Sequence, residues 1–317
     1  MALFHKVRPF FLKAGMLLFL CCLLLFPAPA LNGAKSGLLL WFQQVLPSLL
    51  PFLILSTLLL STGLSDSIAR RLAPFLSPVF RCSPSGCYAV VIGLLAGLPV
   101  GAKTIASLTE TGRITKKEGE YLLPLCNNPS PLFILGFISV SVLNRPQLRY
   151  PILFIVTLSS LLAAMLLRPR EPKKESAQLN RSSASERKPF SFSFLLLDSA
   201  IEQAFLILTR VGGYIILFSV LANLLAGLPL PPLFRGCVGA FLEITTGSAA
   251  LSGLSLPTPF LISLVTGFVT FGGLSTAAQT KSVLAGTGFP FAHYLLTKAV
   301  AGLVAGLVTA LYVSLTF

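Results

Sequence analysis

Two amides, a hydroxyl and two prolines stand together in LLPLCNNPSPLFILGF, residues 122–137. Asn127, Asn128, Pro129, Ser130 and Pro131 lie between apolar flanks that otherwise read as one membrane helix. Amide side chains carry both donors and acceptors. Each proline removes a helix donor and frees the carbonyl four residues back. In hydrocarbon, an unpaired backbone group costs several kcal/mol. Such a break survives where neighbouring helices satisfy it, where it lines water, or where it holds a ligand. Two readings follow for this break alone. One is a proline kink paired by adjacent helices. The other is a binding site, in which Asn127, Asn128 and Ser130 offer polar groups and the helix starting near Pro131 aims its N-terminal donors at the bound molecule.

Three more stretches have this character: GLPVGAKT with Gly101, Lys103 and Thr104, EITTG with Glu243, Thr245 and Thr246, and FGGLSTAAQ with Gly272, Gly273, Ser275 and Gln279. A lysine at membrane depth costs about 2.5–3.5 kcal/mol on insertion scales, so Lys103 needs a partner. An anionic solute, an ion pair with Glu243, or snorkelling to the cytoplasmic face would each supply one. Ser275 and Gln279 are four apart and face together on a helix. The hydroxyls could equally bond back to their own helix carbonyls. GAKT is not a phosphate-binding Walker loop, because Ala102 separates Gly101 from Lys103.

No catalytic set can be assembled. HExxH is missing, and the two histidines, His5 and His293, lie near the chain ends. The six cysteines form no CxxC and have no His companions at metal-ligand spacing. The chain is therefore expected to be neither an enzyme nor a holder of a metal or cofactor.

The elements that position these residues follow from composition. The 317 residues are 54% hydrophobic and 11% charged, well below the quarter typical of soluble domains, and mean hydropathy is +0.85. This is an integral membrane protein. The net charge of +14 sits in short loops between apolar stretches, as the positive-inside rule requires, and nucleic-acid binding is not expected.

Residues 1–34 read as an N-terminal span, uncleaved, although Ala28-Pro29-Ala30 resembles a signal-peptidase site. Either way Lys35 falls outside. A span from Leu38 to about Leu60 follows, then an interfacial amphipathic segment, Ser65–Cys82, whose prolines should forbid one long helix. Gly86–Gly112 reads as a re-entrant hairpin, with basic flanks on one side and its tip at Pro99–Lys103. The Asn127–Pro131 crossing comes next, and a plain span closes the set. Residues 168–190 form a basic cytoplasmic loop, with seven Lys/Arg against three acids from Arg168 to Lys188.

Residues 191–317 repeat the order: a long span, a short segment around EITTG, a crossing interrupted by FGGLSTAAQ, and a plain final span. Residues 35–167 start outside and the second set starts inside, so the repeats are inverted. The expected fold is an all-α polytopic membrane protein of two inverted repeats with re-entrant hairpins and interrupted helices. That is the pattern of a secondary transporter, with its site at the midplane. Asp198 and Glu202, four apart near the basic loop, read as a solvated or self-paired patch. The Gly302–Gly306 pair reads as helix packing.

GLPVGAKT, CNNPSPLFILG, LEITTG and FGGLSTAAQ, in this order, resemble the YlbJ-type sporulation integral membrane proteins of the nucleoside-recognition GATE-domain group. The resemblance runs from about Leu38 to the C-terminus. It implies a fold similar to that of concentrative nucleoside transporters. It also implies a sporulation-linked carrier of a small polar or anionic solute such as dipicolinate in a multi-pass bacterial membrane, including a forespore membrane. In that reading Lys103 and the half-helix N-termini suit the carboxylates, while Asn127 and Asn128 suit the ring nitrogen or oxygens. A coupling proton or sodium ion and a homo-oligomer are consistent with it. A nucleoside or nucleobase carrier would use the same amides and hydroxyls without requiring Lys103. A non-transporting scaffold of sporulation would instead leave the break residues dispensable.

Overall fold

The computed structural model describes residues 2–62, 64–169 and 193–316, and these are helical with no strand among them. The loop expected at 168–190 lies almost wholly outside the described residues. Helix α1 (Ala2–Leu25) is followed by α2 (Pro27–Leu40), a π-wound turn and α3 (Leu46–Ser61). Then come α4 (Leu64–Phe80), α5 (Pro84–Ala96), α6 (Val100–Glu110), α7 (Lys116–Cys126), the π-wound α8 (Phe133–Val142) and α9 (Arg149–Leu166). The remainder is α10 (Phe194–Ala226), α11 (Pro232–Leu242), α12 (Ile244–Ser252), α13 (Thr258–Phe271), α14 (Gly273–Val283) and α15 (Phe291–Thr316).

Among the described residues, four helical stretches are long and apolar enough to cross a membrane: Pro146–Leu166, Phe194–Ala226, Thr258–Val283 and Phe291–Thr316. Two bent pairs pass the same test together. Lys13–Leu25 meets Pro27–Val45 at 102°, and Arg70–Phe80 meets Pro84–Ala96 at 84°.

The packing explains how an apolar chain distinguishes inside from outside. On α15 the buried positions include Ala301, Gly302, Ala305 and Thr309, while Leu303, Leu307, Leu311 and Leu315 are each more than 60% exposed. Small residues face the protein and leucines face outward, because hydrocarbon is as apolar as leucine and only close backbone approach favours association. A Cβ on Gly267 of α13 would lie 3.1 Å from the Gly302 carbonyl, and one on Gly302 would lie 2.8 Å from that of Gly267.

Two expectations need correction. Residues 64–80 form one helix despite Pro74 and Pro78. Both prolines are exposed and four apart, so the lost bonds lie on the outer side. Ile68, Leu76 and Phe80 still face the core. Lys35, expected outside and ahead of the span from Leu38, is an exposed residue inside α2. Pro27 starts that helix, and Gly33 and Gly37 let it run against α10, where a Cβ would come within 2.7 Å of Val220 and 2.8 Å of Ile216. The helix therefore begins eleven residues before the expected Leu38.

Candidate functional site

Each break has a local cause. Ser83 caps α5, accepting from the Gly86 N–H at 3.1 Å, and Gly97 ends it at φ +72°. Thr115 caps α7, accepting from the Glu118 N–H at 2.9 Å. Helix α7 stops at Cys126, and Ser130 accepts from the Phe133 N–H at 3.3 Å as the helix restarts. Glu243 is the cap of α12. Gly272 and Gly273 divide α13 from α14 at φ +95° and +75°, a conformation that costs other residues dearly.

Hairpin and break then lock together in each half. The Leu98 N–H donates to the Asn128 carbonyl at 2.8 Å. A side chain at Gly101 would overlap the Cys126 carbonyl, so this glycine serves close packing. In the second half, a Cβ on Gly273 would lie 3.3 Å from the carbonyls of Ala240 and Phe241 at the end of α11.

All four breaks reach one small cavity of about 50 Å³. Leu98 comes from the first hairpin, Ser130 from the first broken crossing, Glu243 and Thr245 from the second hairpin, and Thr276 and Gln279 from the second broken crossing. Gln279 is 4% exposed. Its Nε2 donates to Ser275 Oγ at 3.2 Å, and its Oε1 has no partner. A buried acceptor of this kind is unusual and asks for a donor.

The remaining sequence-selected residues are placed as follows. Glu243 accepts four hydrogen bonds within its own turn: from the N–H groups of Thr245 and Thr246 at 3.0 and 2.8 Å, and from both hydroxyls at 3.0 Å. Lys103 is half-buried and donates to Gln203 Oε1 on α10 at 3.4 Å. Lys103 and Glu243 form no ion pair. Thr104 donates back to the Val100 carbonyl. Asp198 and Glu202 are exposed.

The two asparagines point away from the cavity into the protein. Asn127 Nδ2 donates to Thr280 Oγ1 at 2.7 Å and to Tyr294 OH at 2.9 Å. Asn128 Nδ2 donates to the Leu125 carbonyl at 2.8 Å. Asn128 Oδ1 accepts from Ser160 Oγ at 2.9 Å and from Lys298 Nζ at 2.7 Å. Lys298 and Tyr294 are four apart on α15, so one helix face clamps both amides. Sequence reasoning passed over Lys298 by treating the final span as plain. The signal was present, since an ionisable residue inside an apolar span marks a functional position by default. Among the described residues, no group of three His, Cys, Asp or Glu side chains could hold a metal ion.

A helical membrane protein whose broken helices meet at a small, mainly apolar cavity edged by a few polar side chains is the class these observations define. Residues 42–167 match the family model described as Gate: Nucleoside recognition. The chain is similar to the Sporulation integral membrane protein YlbJ of Bacillus subtilis (strain 168), with 27% identity across 95% of this chain and 81% of the relative. No solved structure matches.

Proposed function

We propose that the chain is a membrane carrier that moves a small polar solute unchanged, binding it where the four helix breaks meet. The observation that carries this reading is the cavity at their junction, lined in part by Gln279, a buried residue whose oxygen has no partner. Each half contains a long helix, a short-helix hairpin, a broken crossing and a closing helix, with α4 inserted before the hairpin in the first. If the halves are inverted repeats, as the sequence suggests, carriers of this kind bind their cargo between them. About 50 Å³ admits on the order of three or four waters. Loading a ring-sized solute therefore requires the hairpin tips Leu98 and Glu243 to part, and that movement provides alternating access.

The solute is an anionic metabolite such as dipicolinate, carried in spore formation at a forespore membrane. The relative's sporulation role supports this, as does Lys103, which stands behind the first hairpin tip with an amide and no carboxylate as partner. A nucleoside or nucleobase is the second reading. It is favoured by the description of the matching family and by a cavity lined by Ser130, Thr245, Thr276 and Gln279 but by no lysine.

Exchange of labelled dipicolinate and labelled uridine across proteoliposomes tests both. Gln279→Leu should lower exchange of the true cargo about tenfold or more, the value of a buried hydrogen bond of about 1.5 kcal/mol. Lys103→Ala should lower dipicolinate exchange alone. Uridine exchange that survives Lys103→Ala, with no dipicolinate exchange in the wild type, selects the nucleoside reading. Folded wild-type protein that exchanges neither solute rejects both cargoes and favours a scaffold role.

A further inference from the structure

Lys298 is 1% exposed, eight residues into an apolar 26-residue helix, and its ammonium touches one side-chain acceptor, Asn128 Oδ1. A buried ammonium has three donors and normally faces a carboxylate. Among the described residues no carboxylate faces it. Tyr294 lies one turn earlier on α15 and bonds Asn127. On α7, Cys126 is buried nearby in sequence to Asn128, Glu118 accepts from the Ser83 N–H, and Glu120 pairs with Lys117 at 3.2 Å. Tyr121 of α7 donates to the Phe80 carbonyl. Helix α13 carries no titratable residue, α9 carries only Arg149 and Tyr150 at its first turn, and Lys281 of α14 lies over the Phe291 ring.

Asn128 is the crossing point of this arrangement. Its side chain holds Lys298 and Ser160, its carbonyl holds the Leu98 hairpin tip, and the next two residues, Pro129 and Ser130, line the cavity. Lys298 is thus two hydrogen bonds from the first hairpin tip, and its partner Asn128 adjoins the cavity-lining Pro129. A proton changes the charge of this position without needing space.

We propose that Lys298 is the proton-binding site that couples solute movement to a proton gradient, with Asn128 linking it to the hairpin tip and the cavity. The inference rests on the carrier reading. The amine takes a proton from whichever aqueous side is open and becomes an ammonium donating to Asn128 Oδ1. After the hairpins change access, it gives the same proton to the other side. Protonation strengthens the Lys298–Asn128 bond, because charge-assisted hydrogen bonds are roughly twice as strong as neutral ones. It thereby biases the break that carries the tip.

The test uses wild type, Lys298→Gln and Lys298→Arg in proteoliposomes, with dipicolinate and uridine as probes and pyranine inside to report protons. Wild type should accumulate its solute under a pH gradient, by up to about tenfold per pH unit for one proton per neutral solute. Solute addition should also move protons. Lys298→Gln keeps a donor for Asn128 but cannot titrate, so it should exchange solute at symmetric pH while losing both accumulation and proton movement. Lys298→Arg, permanently charged, should behave the same way and serves if the glutamine variant does not fold. Solute-coupled proton movement that persists in either folded variant overturns the assignment. Wild-type exchange with no coupled proton movement overturns it while leaving the carrier intact. Absence of wild-type exchange of either probe overturns the carrier reading and this inference together.

Discussion

Glu243 and Lys103 illustrate how residue type alone leaves a role open. The lysine looked for a carboxylate and the carboxylate for a cation, and their hairpin tips made a pair plausible. The structure shows a different economy. Glu243 turns into its own helix and takes four donors from Thr245 and Thr246, which settles its charge at the α12 N-terminus. Lys103 leans the other way, towards Gln203. The consequence is measurable. Glu243→Ala should lower the melting temperature through a lost cap worth about 1–2 kcal/mol. Lys103→Ala should leave stability nearly unchanged, and the double variant should be additive within about 0.5 kcal/mol. A coupling energy above about 1 kcal/mol in detergent unfolding would restore the ion pair.

At the scale of elements, the protein relies on glycine where two backbones must touch. Gly97, Gly101 and Gly93 press the first hairpin onto Cys126–Ser130, and Gly267 and Gly302 press α13 onto α15. With no water driving helices together in hydrocarbon, that contact is the main source of association. Gly302→Leu should therefore separate α13 from α15, lowering the melting temperature by several degrees. Leu303→Ala, one residue away on the exposed side, should change it little. Equal losses in the two variants would show that Leu303 also packs inward. The glycines at breaks were legible from sequence as punctuation. The partners against which they press, 33 residues away for Gly97 and Ser130, were not, since periodicity reports which face is apolar and not what covers it.

For the whole molecule, the two halves are joined through polar contacts as well as apolar ones. Asn127 and Asn128 belong to the first half, and Thr280, Tyr294 and Lys298 to the second. A solute held between the halves binds the folded state only, so it should stabilise by about 2.7 kcal/mol at a hundred times its Kd. A rise of several degrees in the melting temperature of the detergent-solubilised protein is expected with the true cargo. Gln279→Leu should remove that rise. A full shift retained in Gln279→Leu would place the cargo elsewhere than this cavity.

Composition and spacing were sufficient for the membrane class and for the helical breaks near Pro99, Asn127, Glu243 and Gly272. These properties are local: apolar run length sets a span, and proline, glycine and capping residues end a helix wherever they stand. Tertiary structure decided which polar groups face the cavity and which face one another. Ser130, Glu243 and Gln279 reach the cavity, while Asn127 and Asn128, the most conspicuous pair in the sequence, turn into the protein to meet Tyr294 and Lys298 more than 160 residues away. The physical reason is that an amide buried away from water takes whatever partner the packing brings within hydrogen-bonding distance. That partner is chosen by how distant helices pack, and no local pattern of residues encodes it.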